Sequence, residues 1–454
     1  MRLSLGLMLL AGPVVAQGAP DPATLARRVD SLATSAIEKG PLAGLAIVVA
    51  RGDRVLVAKG YGFADLENRV PATAETIFEV GSVTKQFTAL SIMQLVEKKK
   101  LALTDDVQKL LPEVPLGGRH LSVAQLLDMT SGLKNYTGIS QAFSDDTFRL
   151  ELSTKRMAGY ISAQSPDFEP GTNWSYTNSG FFLAGMIVEK LSGLTYPEYL
   201  RKNIFEPNGL TRTSYCDLSA IVPGRARGYQ PGAPGKLRNA DPISMTVPYA
   251  AGAICSTALD LARYQRALVE GKIVSKASYA RMGQQAVLKD GWRTAYGLGL
   301  VNDVIQGKRM IGHGGQINGF WTVLFYYPVE DVTVILLSNV NPAEGETLWS
   351  MGFKLGDIAH GFTPKAPADL PVSATDQSRV VGKYSSPLFP FELVAIGDKV
   401  GVAGMSAQPL PLAKQADGSY LAVWDPTFHF VPGAACRIRS GAIVPLTLKC
   451  EKSK

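Results

Sequence analysis

Apolar residues change their spacing along the chain, and the changes mark out its elements. From Pro22 to Lys39, Leu25, Val29, Leu32 and Ala36 fall on one helical face. Pro22 suits a first helical turn and Gly40-Pro41 ends the run, so a helix is predicted there. Leu45-Ala46-Ile47-Val48-Val49 is an unbroken apolar run of strand length. Arg51-Gly52-Asp53 is a turn signal, and Val55-Leu56-Val57-Ala58 the returning strand of a hairpin. From Ser82 to Lys98 the spacing is helical, with Phe87, Leu90, Met93 and Val96 at three-residue steps. Helical patterns between Gly-, Pro- and Ser-rich loops fill residues 62 to 250, among them Ser122 to Met129 and Phe181 to Leu191. Thr257 and Asp260 form a variant capping box that opens a helix through Leu268. Strand patterns return at Trp321 to Tyr327 and Val332 to Leu337, and a helical pattern follows from Thr347 to His360.

Strands at both ends of this region with helices between them predict an α+β fold: one antiparallel sheet closed by both chain ends, flanked by helices and carrying a helical insertion. Residues 362–377 hold three prolines and few large apolar groups, and read as a linker. Beyond it, Phe391 to Ile396, Lys399 to Val402, Tyr420 to Trp424, Phe428 to Val431 and Ile443 to Leu448 are short strands between turn residues. They predict a small C-terminal β-rich domain over 378–454.

Composition narrows the class. A chain of 454 residues with 46% hydrophobic and 19% charged residues is globular rather than disordered, and long enough for more than one domain. The formal charge is +7, yet no basic run is longer than Lys98-Lys99-Lys100, so the charge is spread over a surface and nucleic acid is not an expected partner. An anionic cell envelope, with its peptidoglycan, remains a candidate partner. Arg2, the apolar stretch Leu3 to Ala11 and the small-residue site Val14-Val15-Ala16 read as a cleaved signal peptide over residues 1–16, placing the main folded part at 17–361 and the mature protein in the periplasm or outside the cell. No later run of eighteen apolar residues follows, so no stable membrane insertion is expected. The four cysteines allow three pairings, or none if all are buried thiols. The pairing that closes two local loops is Cys216 with Cys255 and Cys436 with Cys450. They lack C-x-x-C spacing, and His120, His313, His360 and His429 lack metal-ligand spacing, so no metal and no cofactor are expected.

Three short patterns carry candidate chemistry. In Ser82-Val83-Thr84-Lys85 an i, i+3 pair on a helix brings a hydroxyl to an amine, Gly81 permits close approach, and the helix start offers free backbone N–H groups. A serine needs a base beside it, and a desolvated lysine can be one. The same spacing recurs at Ser131 and Lys134, where Gly132 argues against a helix. Ser175-Tyr176-Thr177-Asn178 is an extended segment whose alternate residues, Tyr176 and Asn178, face one way. In Gly312-His313-Gly314-Gly315-Gln316, glycines beside a strand allow close backbone approach by a substrate.

In this order, S-x-x-K, Y-x-N and H-G-G, the chain resembles the serine β-lactamase and penicillin-binding-protein family, in particular its class C-like and DD-peptidase/esterase branch. Ile77 to Ser82, Leu126 to Leu133 and Gly252 to Arg263 share the likeness, which covers about residues 23 to 360. The resemblance implies a β-lactamase/DD-peptidase-like sheet. It implies a serine hydrolase in which Ser82 attacks a carbonyl, Lys85 and Tyr176 share the base work, and Asn178 holds the substrate amide. It also implies that the N–H groups of Ser82 and Gln316, next to Gly315, form an oxyanion hole. His313 stands where many members have lysine, which weakens the case for a carboxylate-bearing substrate. Expected substrates are small amides, esters, β-lactams or peptides. The alternative on the same fold is a penicillin-binding sensor or envelope-binding module that does not turn over.

Overall fold

The structure, a computed structural model, describes residues 20–39, 42–138, 145–233, 235–305, 307–340, 348–362, 369–385, 391–403, 409–422, 429–433, 437–440 and 446–453. The predicted signal peptide, Cys436, part of the linker and the ends of several tail strands lie outside these residues.

Helix α1 (Pro22–Lys39) has the predicted bounds and buries Leu25, Val29 and Ala33. Strand β1 (Gly44–Arg51) turns into β2 (Arg54–Asp65), and β3 (Val70–Pro71) borders it. A 3-10 turn, Gly81–Val83, leads into α2 (Thr84–Glu97), so the predicted helix begins as a tighter turn. Helix α3 (Asn178–Ser192) starts three residues before the predicted Phe181, because the Thr177 side chain caps it by accepting from the Ser179 N–H. Ser122 caps Val123–Leu127 through a full capping box with Gln125. Thr257 caps α4 (Ala258–Glu270) as its spacing with Asp260 predicts.

The chain then returns to the sheet through β4 (Val301–Ile305), β5 (Lys308–Ile317), β6 (Phe320–Tyr327) and β7 (Val332–Ser338), and ends this region in α5 (Leu348–Ala359). The seven strands lie in the order β3-β2-β1-β7-β6-β5-β4. Every pair is antiparallel, and β1 meets β7 in a seam from Leu45 opposite Ser338 to Arg51 opposite Val332. The sheet is thus closed by both ends of the region, as predicted. Both faces are covered, which is why the central strands are apolar without alternation. On one face α5 packs so tightly that added methyl groups at its Gly352 and Gly356 would meet Val323, Phe325 and Tyr327. On the other, Arg266 of α4 and the Tyr326 hydroxyl share the Asp331 carboxylate.

A second, three-stranded sheet joins Phe78–Glu79, Ile254–Ser256 and Ser214–Tyr215, with Ile254–Ser256 in the middle. The Cys216–Cys255 disulfide staples it. Cys450 is also disulfide-bonded, and its expected partner Cys436 is outside the described residues.

The C-terminal part is a nine-stranded antiparallel sheet in which the last strand, Glu451–Lys452, lies beside the first, Gly382–Ser385. Residues assigned to the linker by their prolines enter this unit early. Leu370 bridges to Lys414, and Ser373 caps a helix over Ala374–Val380 that buries Val380.

Candidate active site

Ser82 sits in the 3-10 turn and Lys85 in the first turn of α2, so one turn of backbone brings the two side chains together. Both are buried. Lys85 Nζ lies 3.0 Å from Ser82 Oγ, 2.7 Å from Asn178 Oδ1 and 2.9 Å from the Ala251 carbonyl. Among the described residues no carboxylate compensates its charge, and burial holds its pKa well below the ordinary lysine value. A neutral amine has two hydrogens and one lone pair. Asn178 Oδ1 and the Ala251 carbonyl can only accept, so they take the two hydrogens and leave the lone pair for the Ser82 O–H. After taking that proton, the ammonium would have three donors for the same three oxygens.

Asn178 is held with its oxygen toward Lys85. Its amide nitrogen donates to Asn135 Oδ1 (3.3 Å) and Thr137 Oγ1 (3.2 Å), and its backbone N–H to Asn135 Oδ1 (3.1 Å). Tyr176 precedes it, with its ring centroid 4.9 Å from Lys85 Nζ. Burial raises the phenol's pKa and the nearby Ser82 hydroxyl only partly offsets this, so Tyr176 keeps its proton. The two hydroxyls are neighbours, but the phenol makes no fully formed hydrogen bond. The Tyr176 segment is fastened by Met129, whose carbonyl accepts from the Ser175 N–H and whose sulfur accepts from the Thr177 N–H.

Strand β5 forms the opposite wall. A methyl at Gly315 would stand 1.9 Å from the Val80 carbonyl oxygen and 3.0 Å from Ser82 N, and one at Gly81 only 2.8 Å from Gln316 N. Gly81 also has φ +51°, in the left-handed region that disfavours a side chain. The two glycines let the chain segments touch beside the backbone nitrogens of Ser82 and Gln316. His313 is fully buried behind them. Its Nε2 lies 2.7 Å from the Tyr296 hydroxyl, and its Nδ1 meets the Gly314 carbonyl. A carbonyl can only accept, so Nδ1 carries the hydrogen and Nε2 accepts from Tyr296. Burial first, and the Lys85 charge second, push its pKa down to about 3. His313 is therefore a neutral, fixed ring packed 6.2 Å from the Tyr176 ring.

Six of the sequence's candidates thus converge: Ser82, Lys85, Tyr176, Asn178, Gly315 and Gln316. His313 joins them from behind, without exposure to a ligand. The second Ser-x-x-Lys does not form a pair. Gly132 has φ +72°, Ser131 is buried with its hydroxyl accepting from the Leu133 N–H, and Lys134 points out toward Asp167 at 3.4 Å. Sequence reasoning missed Ala251, Asn135, Thr137 and Tyr296. Ala251 acts through its backbone carbonyl, which has no residue-type signal. Asn135 lies two residues past the Leu126 to Leu133 segment, among other polar residues, and no spacing marks it.

A buried serine–lysine pair against a glycine-lined edge strand, on an antiparallel sheet with a helical insertion, defines a serine hydrolase of the β-lactamase and penicillin-binding-protein fold. The chain belongs to the Beta-lactamase family, whose model matches residues 29–350. A penicillin-binding protein of Bacillus subtilis (strain 168) is 30% identical over 368 residues, 74% of this chain and 78% of that protein. A D-aminopeptidase of Brucella anthropi is 28% identical over 346 residues, 75% of this chain and 62% of that enzyme. Among solved structures, the octameric penicillin-binding protein homologue from Pyrococcus abyssi superposes with a TM-score of 0.67 at 27% identity, over 95% of this chain and 100% of that one.

Proposed function

We propose that the protein is an exported hydrolase of small D-amino-acid amides or peptides, working through an acyl-enzyme on Ser82. The observation that carries this reading is the hydrogen-bond set of Lys85: a buried amine whose charge is disfavoured by burial, held by two accepting oxygens within 3.0 Å of the Ser82 hydroxyl. Lys85 takes the Ser82 proton as Oγ bonds to the substrate carbonyl carbon. The N–H groups of Ser82 and Gln316 stabilise the resulting oxyanion. Collapse breaks the C–N bond, and Tyr176, still protonated beside Ser82, relays a proton to the leaving amine. Water then enters, gives its proton back through the same pair, and frees the acid.

The substrate class follows from His313. Where a lysine would present a cation to a substrate carboxylate, this chain has a buried neutral ring. That favours amides and esters without a carboxylate at this position over β-lactams, and it agrees with the similarity to a D-aminopeptidase. Export rests on the N-terminal pattern and on the Cys216–Cys255 disulfide, which suits an oxidising compartment.

The test uses the mature chain with D-alanine p-nitroanilide, p-nitrophenyl acetate and a chromogenic cephalosporin, beside Ser82→Ala and Ser131→Ala. Turnover of the anilide by wild type and Ser131→Ala, lost in Ser82→Ala, is expected, with the cephalosporin slowest. Full activity in Ser82→Ala would overturn the assignment. An acyl adduct that persists for hours by intact mass would replace it with a penicillin-binding sensor.

A further inference from the structure

Glu79 stands three residues before Ser82 and serves none of the chemistry above. Its Oε2 is buried without a hydrogen bond. A carboxylate in that condition costs stability. Burial, only partly offset by Arg225, raises its pKa to about 7. Glu79 lines a cavity of about 370 Å³ whose other walls include Leu218, Ile243, Asn318 and Phe320. Two further charged side chains border it, Arg227 and Asp241, and both are already engaged. Arg227 lies 3.5 Å from Glu67. Asp241 is held by Arg238 at 2.9 Å and by Gln230 at 2.8 Å, with Arg149 at 3.7 Å.

Two of the residues that line the cavity belong to the chain segments that carry the catalytic centre. Three residues of chain span at most about 11 Å, so Glu79 is close to Ser82. Asn318 follows Gln316 by two residues at the end of β5. A ligand anchored at Glu79 therefore has its scissile carbonyl no more than about three residues from its anchor.

We propose that this cavity is an ammonium subsite, in which Glu79 receives the free primary amine of an amide or peptide whose carbonyl lies at Ser82. The proposal rests on the substrate reading given above and sharpens it to substrates with an unblocked amino terminus. Leu218, Ile243 and Phe320 supply apolar surface for the side chain beside that amine. Binding fixes the carboxyl in its ionised form. A protonated Glu79 gives its proton to solvent as the ammonium arrives, and no other bond changes. Affinity then rises with pH up to about 7.5 and falls above about 8, where the amine loses its own proton.

The test separates binding from turnover. Ser82→Ala protein is titrated calorimetrically with D-alaninamide and with N-acetyl-D-alaninamide, from pH 5.5 to 8.5, in two buffers of different ionisation enthalpy. The free amine is expected to bind at least tenfold tighter than the acetylated amide and to release protons below pH 7. Adding Glu79→Gln removes both the preference and the proton release and leaves the acetylated ligand unchanged. A melting temperature at pH 8 no lower than the parent's shows that this isosteric variant is folded. Equal affinity for the two ligands, a preference that survives Glu79→Gln, or no binding of either at millimolar concentration overturns the proposal. Hydrolysis by wild type is read separately. A protein that binds the amine but cleaves nothing loses the proposed function and keeps the subsite, and one that cleaves blocked and free substrates alike does the reverse.

Discussion

Lys85 is surrounded by oxygens that accept and by apolar rings, finds no counter-ion among the described residues, and has its pKa held by burial well below the ordinary lysine value. Two outcomes follow at this scale. Lys85→Met removes the proton acceptor while keeping much of the volume, and should lower kcat by 100-fold or more, with the protein still folded by circular dichroism. In wild type, kcat/KM should fall on the acid side with a single proton, because acid fills the lone pair that Ser82 needs. That limb should lie far below the pH at which an ordinary lysine titrates. Glu79 and Asp128 test the electrostatics differently. Burial raises both, to about 7 and about 6. The folded state then binds more protons than the unfolded chain from about pH 4 to pH 7, so stability falls as pH rises through that window. Glu79→Gln should therefore melt higher than wild type at pH 8, by an amount on the order of 3 kcal/mol, and the gap should close by pH 4.

Among the elements, those with strong local signals were legible. The cap at Thr257 and the helix Pro22–Lys39 fall where the spacing puts them. Elements made by tertiary contact were not. The two-residue strand Phe78–Glu79 exists because Ile254–Ser256 pairs with it, and no two-residue pattern can announce that. The Ala374–Val380 helix hides behind prolines that truly precede it. The site was legible where side-chain type carries the chemistry and illegible where a backbone carbonyl does, as at Ala251. The small sheet also bears on activity. Ile254 accepts from the Val80 N–H and its own N–H donates to Thr84 Oγ1, so this strand braces the turn that holds Ser82. The disulfide closes a loop of 39 residues onto it. Replacing Cys216 and Cys255 together by serine should cost about 2–4 kcal/mol in denaturant unfolding, with kcat reduced as well because the brace loosens.

At the level of the whole molecule, the seam between β1 and β7 was readable only as a consequence of strands at both ends of a region, since no residue encodes a partner nearly 300 positions away. Its register depends on packing. Ile47 and Ile335 are fully buried, and Ile335→Ala should cost about 2–5 kcal/mol by denaturant titration. The seam also sets the order in which the protein becomes competent. Ser82, Lys85, Tyr176 and Asn178 leave the ribosome early, but Gly315 and Gln316 arrive late, and β7, which locks β1 in place, arrives later still. A growing chain thus carries its reactive serine for more than 200 residues of synthesis without the wall that would let it react. Fragments ending near residue 300 should acquire no acyl label from a reactive ester. A cell making such a hydrolase is spared its chemistry until the product is nearly finished.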